Sequence, residues 1–190
     1  MWKMKIINWF KSLNLPNQLT VIRVLLIPFF LFFLYISGGI FKFLPLLIFA
    51  GAALTDAIDG HIARRDGLVT DFGKFMDPLA DKLLTLAAFI AFVEIGYLSA
   101  WVVVVIISRE FLVSGFRTLA ASKGVTIAAN AWGKIKTVFQ MILIIAVLMN
   151  YTGYFGFTGP LISPLTAVTL LLTITSGAVY IYDNIKVIKN

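Results

Sequence analysis

A chain of 190 residues that is 60% hydrophobic and only 13% charged, with a mean hydropathy of +0.95, is too apolar for a soluble domain of its size and is expected in a bilayer. The net charge of +7 does not point to nucleic acid, because the 16 basic residues are scattered between apolar runs, as in loops that lie against anionic headgroups. Without cysteine there is no disulfide framework, thiolate nucleophile or cysteine metal site to consider.

Residues 1–14 set Lys3, Lys5 and Lys11 among Trp2, Met4, Ile6, Ile7, Trp9 and Phe10, the pattern of a short amphipathic helix in the headgroup layer. A cleaved leader is disfavoured, since the apolar stretch that follows is long enough to span and no small-x-small cleavage site stands out after it. A spanning helix needs about 20 apolar residues. Val24 to Phe41 approaches that unaided, and Thr137 to Tyr182 is long enough for two helices, with Gly153, Gly156, Gly159 and Pro160 marking the turn between them. The runs Phe43 to Thr55, Leu83 to Val93 and Ile95 to Ser108 reach span length only by taking in charged residues at one end, and such ends must face a wet cavity.

The expectation is therefore an all-α integral membrane protein, a single domain over residues 1–190, with six transmembrane helices near 17–37, 43–65, 75–96, 99–121, 132–151 and 161–184 behind the interfacial helix. Every basic residue except Lys42 then falls on or nearest the side of the amino terminus. The positive-inside rule puts both termini in the cytoplasm of a multi-pass protein of the cell membrane. The run from Phe29 to Phe33 is expected to face lipid.

The chemistry is concentrated in TDAIDGHIARRDGLVTDFGKFMDPLADK. Asp56 and Asp59 are spaced i, i+3 at the end of the second span, and Asp77 and Asp81 are spaced i, i+4 at the start of the third, so each pair shares a helix face. The connection between Arg64 and Lys74 is short and holds Gly67 and Gly73, so it can reverse and set the two faces opposite each other. Four gathered carboxylates repel: at about 5 Å and an effective dielectric near 20, one pair costs roughly 3 kcal/mol. Oxygen ligands without a histidine or cysteine cluster favour hard divalent ions, Mg²⁺ first and Mn²⁺ next, and four carboxylates can hold two. Such ions polarise a phosphoryl group and stabilise a leaving oxygen. Asp66 and Asp71 read instead as surface charges, and His61 as a surface residue.

The spacing D-x2-D-G-x2-A-R-x8-G-x3-D-x3-D, carried by Asp56, Asp59, Gly60, Ala63, Arg64, Gly73, Asp77 and Asp81, resembles the signature of the CDP-alcohol phosphotransferases at all eight fixed positions. The resemblance implies six transmembrane helices, a homodimer, two divalent ions and a cytidine nucleotide held at the cytoplasmic end. It implies that Asp56, Asp59 and Asp77 are metal ligands, and that Asp81 both touches a metal and takes the proton of the acceptor's hydroxyl. A carboxylate beside an alcohol is a suitable base for that step. The resemblance implies that Gly60, Ala63 and Gly73 belong with the donor's nucleotide and diphosphate; the first two lack bulk and allow close approach to the helix, or are instead simple helix-packing residues. Arg64 offers a planar fork of donors to the diphosphate. Asn17 and Thr20 read either as helix caps or as lining of the nucleotide pocket.

The acceptor does not follow from the signature. The segments from Asn14 to Arg23, Gly73 to Leu84, Ser108 to Gly124 and Trp132 to Met141 resemble the branch of that family that makes phosphatidylglycerophosphate from CDP-diacylglycerol and glycerol 3-phosphate. A phosphorylated acceptor needs cations, and Arg109, Arg117 and Lys134 are the candidates for its clamp. Arg109 falls well inside the bilayer, where it can alternatively pair with Glu110. Lys123 and Lys136 are expected to be ordinary cytoplasmic surface charges. Serine, inositol phosphate and phosphatidylglycerol remain alternative acceptors. A divalent-cation transporter is a rival of another class, disfavoured because the four aspartates sit at one membrane face with no matching broken helices in the other half.

Overall fold

The structure, a computed structural model, describes residues 13–36, 38–65, 71–125, 127 and 130–185. The expected interfacial helix falls almost wholly on residues 1–12, outside the described ones. Among the described residues all regular structure is helical, in six α-helices: α1 (Leu15–Ile36), α2 (Leu44–Arg65), α3 (Asp71–Glu94), α4 (Ala100–Ser122), α5 (Ala131–Thr152) and α6 (Gly159–Asn184). Short 3₁₀ turns at Gly39–Phe43 and Gly156–Thr158 lead into α2 and α6. Each observed helix lies within four residues of an expected span.

All six are at least 22 residues long, or roughly 33 Å at about 1.5 Å per residue, which matches a hydrocarbon core about 30 Å thick. Three are also apolar enough along their length to cross a membrane: Asn17–Ile36 within α1, Ala131–Thr152 and Gly159–Asn184. A shorter apolar stretch, Phe41–Thr55, runs from the first 3₁₀ turn into α2. The residues that dilute α2, α3 and α4 include the carboxylates and cations that the sequence marks as candidates for the chemistry.

Two compact units form, Met1–Ala88 and Phe89–Asn190. In the first, α1 packs on α2, and the contact is aromatic: Phe30 and Phe49 are both fully buried with ring centroids 6.1 Å apart. The run from Phe29 to Phe33 is thus divided. Phe29 and Phe32 are exposed as expected for lipid-facing positions, but Phe30 belongs to the core, because residues one apart on a helix point about 100° from each other.

In the second unit α6 packs against both α4 and α5. The face of α6 that does so is small and polar, with Thr169, Thr173, Ser176 and Gly177 all buried. Small side chains let spanning helices approach closely. Their hydroxyls are satisfied within the helix pair: Thr173 Oγ1 donates to the Thr169 carbonyl at 2.7 Å, Ser176 to Thr173 at 3.2 Å, and Thr169 across to the Phe139 carbonyl of α5 at 3.5 Å. The α5–α6 turn falls where the glycines and proline foretold it. Gly153 ends α5 in the left-handed region, with φ +80°, and Pro160 sits in the first turn of α6, where its missing N–H costs nothing.

Candidate active site

The eight signature positions all lie on helical backbone, Asp56, Asp59, Gly60, Ala63 and Arg64 on α2 and Gly73, Asp77 and Asp81 on α3. Helical backbone puts positions 56 and 59 on one face of α2, and positions 77 and 81 on one face of α3, as the spacing requires. The side chains of these eight positions, and the connecting residues 66–70, lie outside the described residues. Among the described residues no three of His, Cys, Asp and Glu come together to hold a metal. The fit of a metal is therefore a matter of donor chemistry, and carboxylates on two uninterrupted helices are a hard, oxygen-only set that suits Mg²⁺ or Mn²⁺.

Asn17 and Thr20 do not cap α1. The helix begins at Leu15, and its cap is Asn14, whose Oδ1 accepts from the Asn17 backbone N–H at 3.2 Å. Asn17 and Thr20 instead lie inside the helix and are 4% and 0% exposed, and Arg23, one turn further, is 1% exposed. The three are spaced i, i+3, i+6 and form one buried polar face on an otherwise apolar span. That removes the capping interpretation and leaves a polar face that needs polar company. Arg23 is among the largest fully buried side chains of the protein.

In the second unit the structure brings Arg109 together with residues from all three helices. Arg109 is the tenth residue of α4, roughly 14 Å along its axis, and its side chain is 12% exposed. Two glycines make room for it. A Cβ on Gly177 of α6 would lie 3.0 Å from Arg109 Cγ, and one on Gly133 of α5 would lie 3.5 Å from Nη2. Its Nη1 lies 3.4 Å from Glu110 Oε1, the pairing considered from sequence. The same oxygen accepts from Lys136 Nζ of α5. Lys136 is 1% exposed, so the expectation of an ordinary surface charge fails there.

The same unit holds buried polar atoms with donor capacity to spare. Arg109 Nε, Asn130 Nδ2, Gln140 Nε2 and Tyr180 OH are buried without a hydrogen-bond partner among the described residues. Asn130 has spent its Oδ1 on capping α5, accepting from the Gly133 N–H at 2.8 Å, so its NH₂ is what remains. Buried donors without acceptors fit an oxygen-rich anion.

Arg117, two turns beyond Arg109, is exposed, with its guanidinium 5.6 Å from the ring centroid of the buried Tyr180. It therefore meets α6 at Tyr180, about one turn beyond the Gly177 that Arg109 packs against. Lys134 does not join Arg109, Glu110 and Lys136, being exposed and without an ion pair among the described residues. Lys136 is the residue that sequence reading missed. The available signal was Glu110, a carboxylate within an expected span, which needs a cation at the same depth.

The model of the CDP-alcohol phosphatidyltransferases matches residues 13–179. The chain belongs to that family. This CDP-alcohol phosphatidyltransferase is 40% identical over 188 residues to the CDP-diacylglycerol–glycerol-3-phosphate 3-phosphatidyltransferase of Bacillus subtilis, covering 93% of this chain and 97% of the relative. The enzyme of the same name from Rickettsia typhi is 36% identical over 171 residues, covering 88% and 94%. A probable phosphatidylglycerophosphate synthase of Mycobacterium tuberculosis is also 36% identical over 171 residues, covering 88% and 80%. Membership in a family of phosphatidyltransferases accounts for the paired aspartates of α2 and α3 without recourse to an ion pathway.

Proposed function

We propose that this membrane enzyme transfers the phosphatidyl group of CDP-diacylglycerol to glycerol 3-phosphate, giving phosphatidylglycerophosphate and CMP. The observation that carries the reading is likeness along nearly the whole chain to relatives named for that reaction. The acceptor's hydroxyl oxygen attacks the phosphorus that bears diacylglycerol, the bond from that phosphorus to the CMP oxygen breaks, and Asp81 takes the hydroxyl proton. Asp56, Asp59, Asp77 and Asp81 are the residues to hold two divalent ions, Mg²⁺ or Mn²⁺, which when bound supply charge to the diphosphate and the leaving oxygen. Gly60, Ala63 and Gly73 leave room for the donor's nucleotide, Arg64 pairs with its diphosphate, and Asn17 and Thr20 contribute the polar face of α1.

Arg109 and Arg117 bind the acceptor's phosphate in this reading. Arg109 is supported by its burial, its glycine slot and its unpartnered Nε. Arg117 is supported by its stacking on Tyr180. Lys134 serves as an exposed cation that attracts the anion. The whole chain acts as one catalytic domain with six spans and an amino-terminal interfacial helix, as a homodimer surrounded by membrane lipids. Both termini and the site face the cytoplasm, supported by the basic residues Arg117, Lys123 and Lys134 that border the α4–α5 connection.

The test is product formation in lipid micelles from CDP-diacylglycerol with glycerol 3-phosphate, serine, inositol phosphate or phosphatidylglycerol as acceptor. Phosphatidylglycerophosphate and CMP are expected from the first alone. Preferential use of any other acceptor overturns the choice of acceptor and leaves the family assignment standing.

A further inference from the structure

Glu110 Oε1 is shared by two cations that are not equivalent. The Arg109 hydrogen bond is long, at 3.4 Å, while Lys136 donates to the same oxygen from a side chain only 2% exposed. Arg109 is the more accessible of the two, at 12%, and carries the buried Nε that has no partner among the described residues. The formal charges of the three side chains sum to +1, so the single carboxylate of Glu110 cannot balance both cations. A carboxylate next to a phosphate clamp is a competitor for the clamp unless another cation holds it.

We propose that Lys136 is a positioning residue for acceptor binding: it retains Glu110, so that Arg109 can turn its guanidinium from that carboxylate to the acceptor's phosphate. The proposal rests on glycerol 3-phosphate as acceptor and on Arg109 as its clamp. In this proposal Lys136, 1% exposed, acts through Glu110 and not on the phosphate itself. With Lys136 gone, Glu110 is left with Arg109 as its remaining cation in the trio and competes with the substrate for it.

The experiment is steady-state kinetics of the full-length enzyme in micelles, with each substrate varied in turn, for wild type and for Arg109→Gln, Lys136→Met, Glu110→Gln and the double variant Lys136→Met/Glu110→Gln. Lys136→Met is expected to raise the KM for glycerol 3-phosphate on the order of tenfold while the KM for CDP-diacylglycerol stays as in wild type. Removing the competing carboxylate in the double variant is expected to bring the acceptor KM back towards wild type. An unchanged acceptor KM in Lys136→Met, or no recovery in the double variant, overturns the proposal, since a purely structural lysine or one that binds phosphate directly would give those results. Should Lys136→Met not fold, Glu110→Gln alone decides: an acceptor KM at or below wild type supports the proposal, and a raised one overturns it. An unchanged acceptor KM in Arg109→Gln would remove the clamp itself, and a failure of the underlying reading is thereby separated from a failure of Lys136.

Discussion

Gly177 of α6 faces Arg109 of α4 so closely that a side chain on the glycine would begin 3.0 Å from the arginine's Cγ. A Cβ at that distance is tighter than ordinary contact, and a branched one cannot be accommodated without moving the arginine stem. Gly177→Val is therefore expected to raise the KM for glycerol 3-phosphate about tenfold or more, with the KM for CDP-diacylglycerol unaltered, because a buried charged group moved by even an ångström loses its ligand geometry. Two-substrate kinetics checks it, and equal rises in both KM values would show a general packing defect instead.

Asp81→Asn keeps the size of the side chain and removes its basicity. Transfer is expected to fall by at least about a hundredfold, in line with the loss of a general base, while membrane insertion and micelle elution stay as in wild type. Wild-type turnover in this variant would remove Asp81 as the base.

The two asparagines at the start of α1 separate a structural role from a binding one. Asn14 caps the helix through its Oδ1 and the Asn17 N–H, so Asn14→Ala is expected to lower stability by about 1 kcal/mol in thermal unfolding and to leave both KM values alone. Asn17 sits on the buried polar face with Thr20. Asn17→Ala is expected to raise the KM for CDP-diacylglycerol several-fold, roughly one hydrogen bond's worth, and a donor KM that does not move would exclude Asn17 from the nucleotide pocket.

The helices were legible because spans of about 20 apolar residues have few alternatives, and because Gly153 and Pro160 can each be accommodated at one kind of place, the end and the start of a helix. The carboxylate spacings were legible for the same reason: i, i+3 and i, i+4 have one meaning once the backbone is helical. What sequence did not disclose is which way a given residue faces. Phe29 and Phe30 are adjacent, yet one is exposed and the other is core. Lys134 and Lys136 are two apart, yet one is on the surface and the other is buried on Glu110. Composition treats each pair alike, and only the helix phase, fixed by packing against α2 in one case and against α6 in the other, tells them apart. Asn17 stood open between a cap and a pocket residue because the boundary of α1 was expected at residue 17, and a helix that starts two residues earlier, at Leu15, takes Asn17 inside and removes the capping alternative.

Withdrawal of divalent ions tests the donor half of the reaction independently of the acceptor half. Four aspartates whose spacing pairs them on two helix faces repel one another at neutral pH, and bound divalent cations would relieve that repulsion while adding to the positive charge that Arg64 offers the diphosphate of the donor. Chelation with EDTA is expected to abolish product formation, and Mg²⁺ or Mn²⁺ to restore it, whereas Ca²⁺, larger and less strict in geometry, restores less. A readout apart from turnover is thermal unfolding. Ions that bind the folded state alone raise the midpoint in proportion to the logarithm of their concentration, and Asp59→Asn or Asp77→Asn is expected to flatten that dependence, whereas the Arg109→Gln variant keeps it. Undiminished turnover of CDP-diacylglycerol after complete chelation would mean that the aspartates serve something other than a metal.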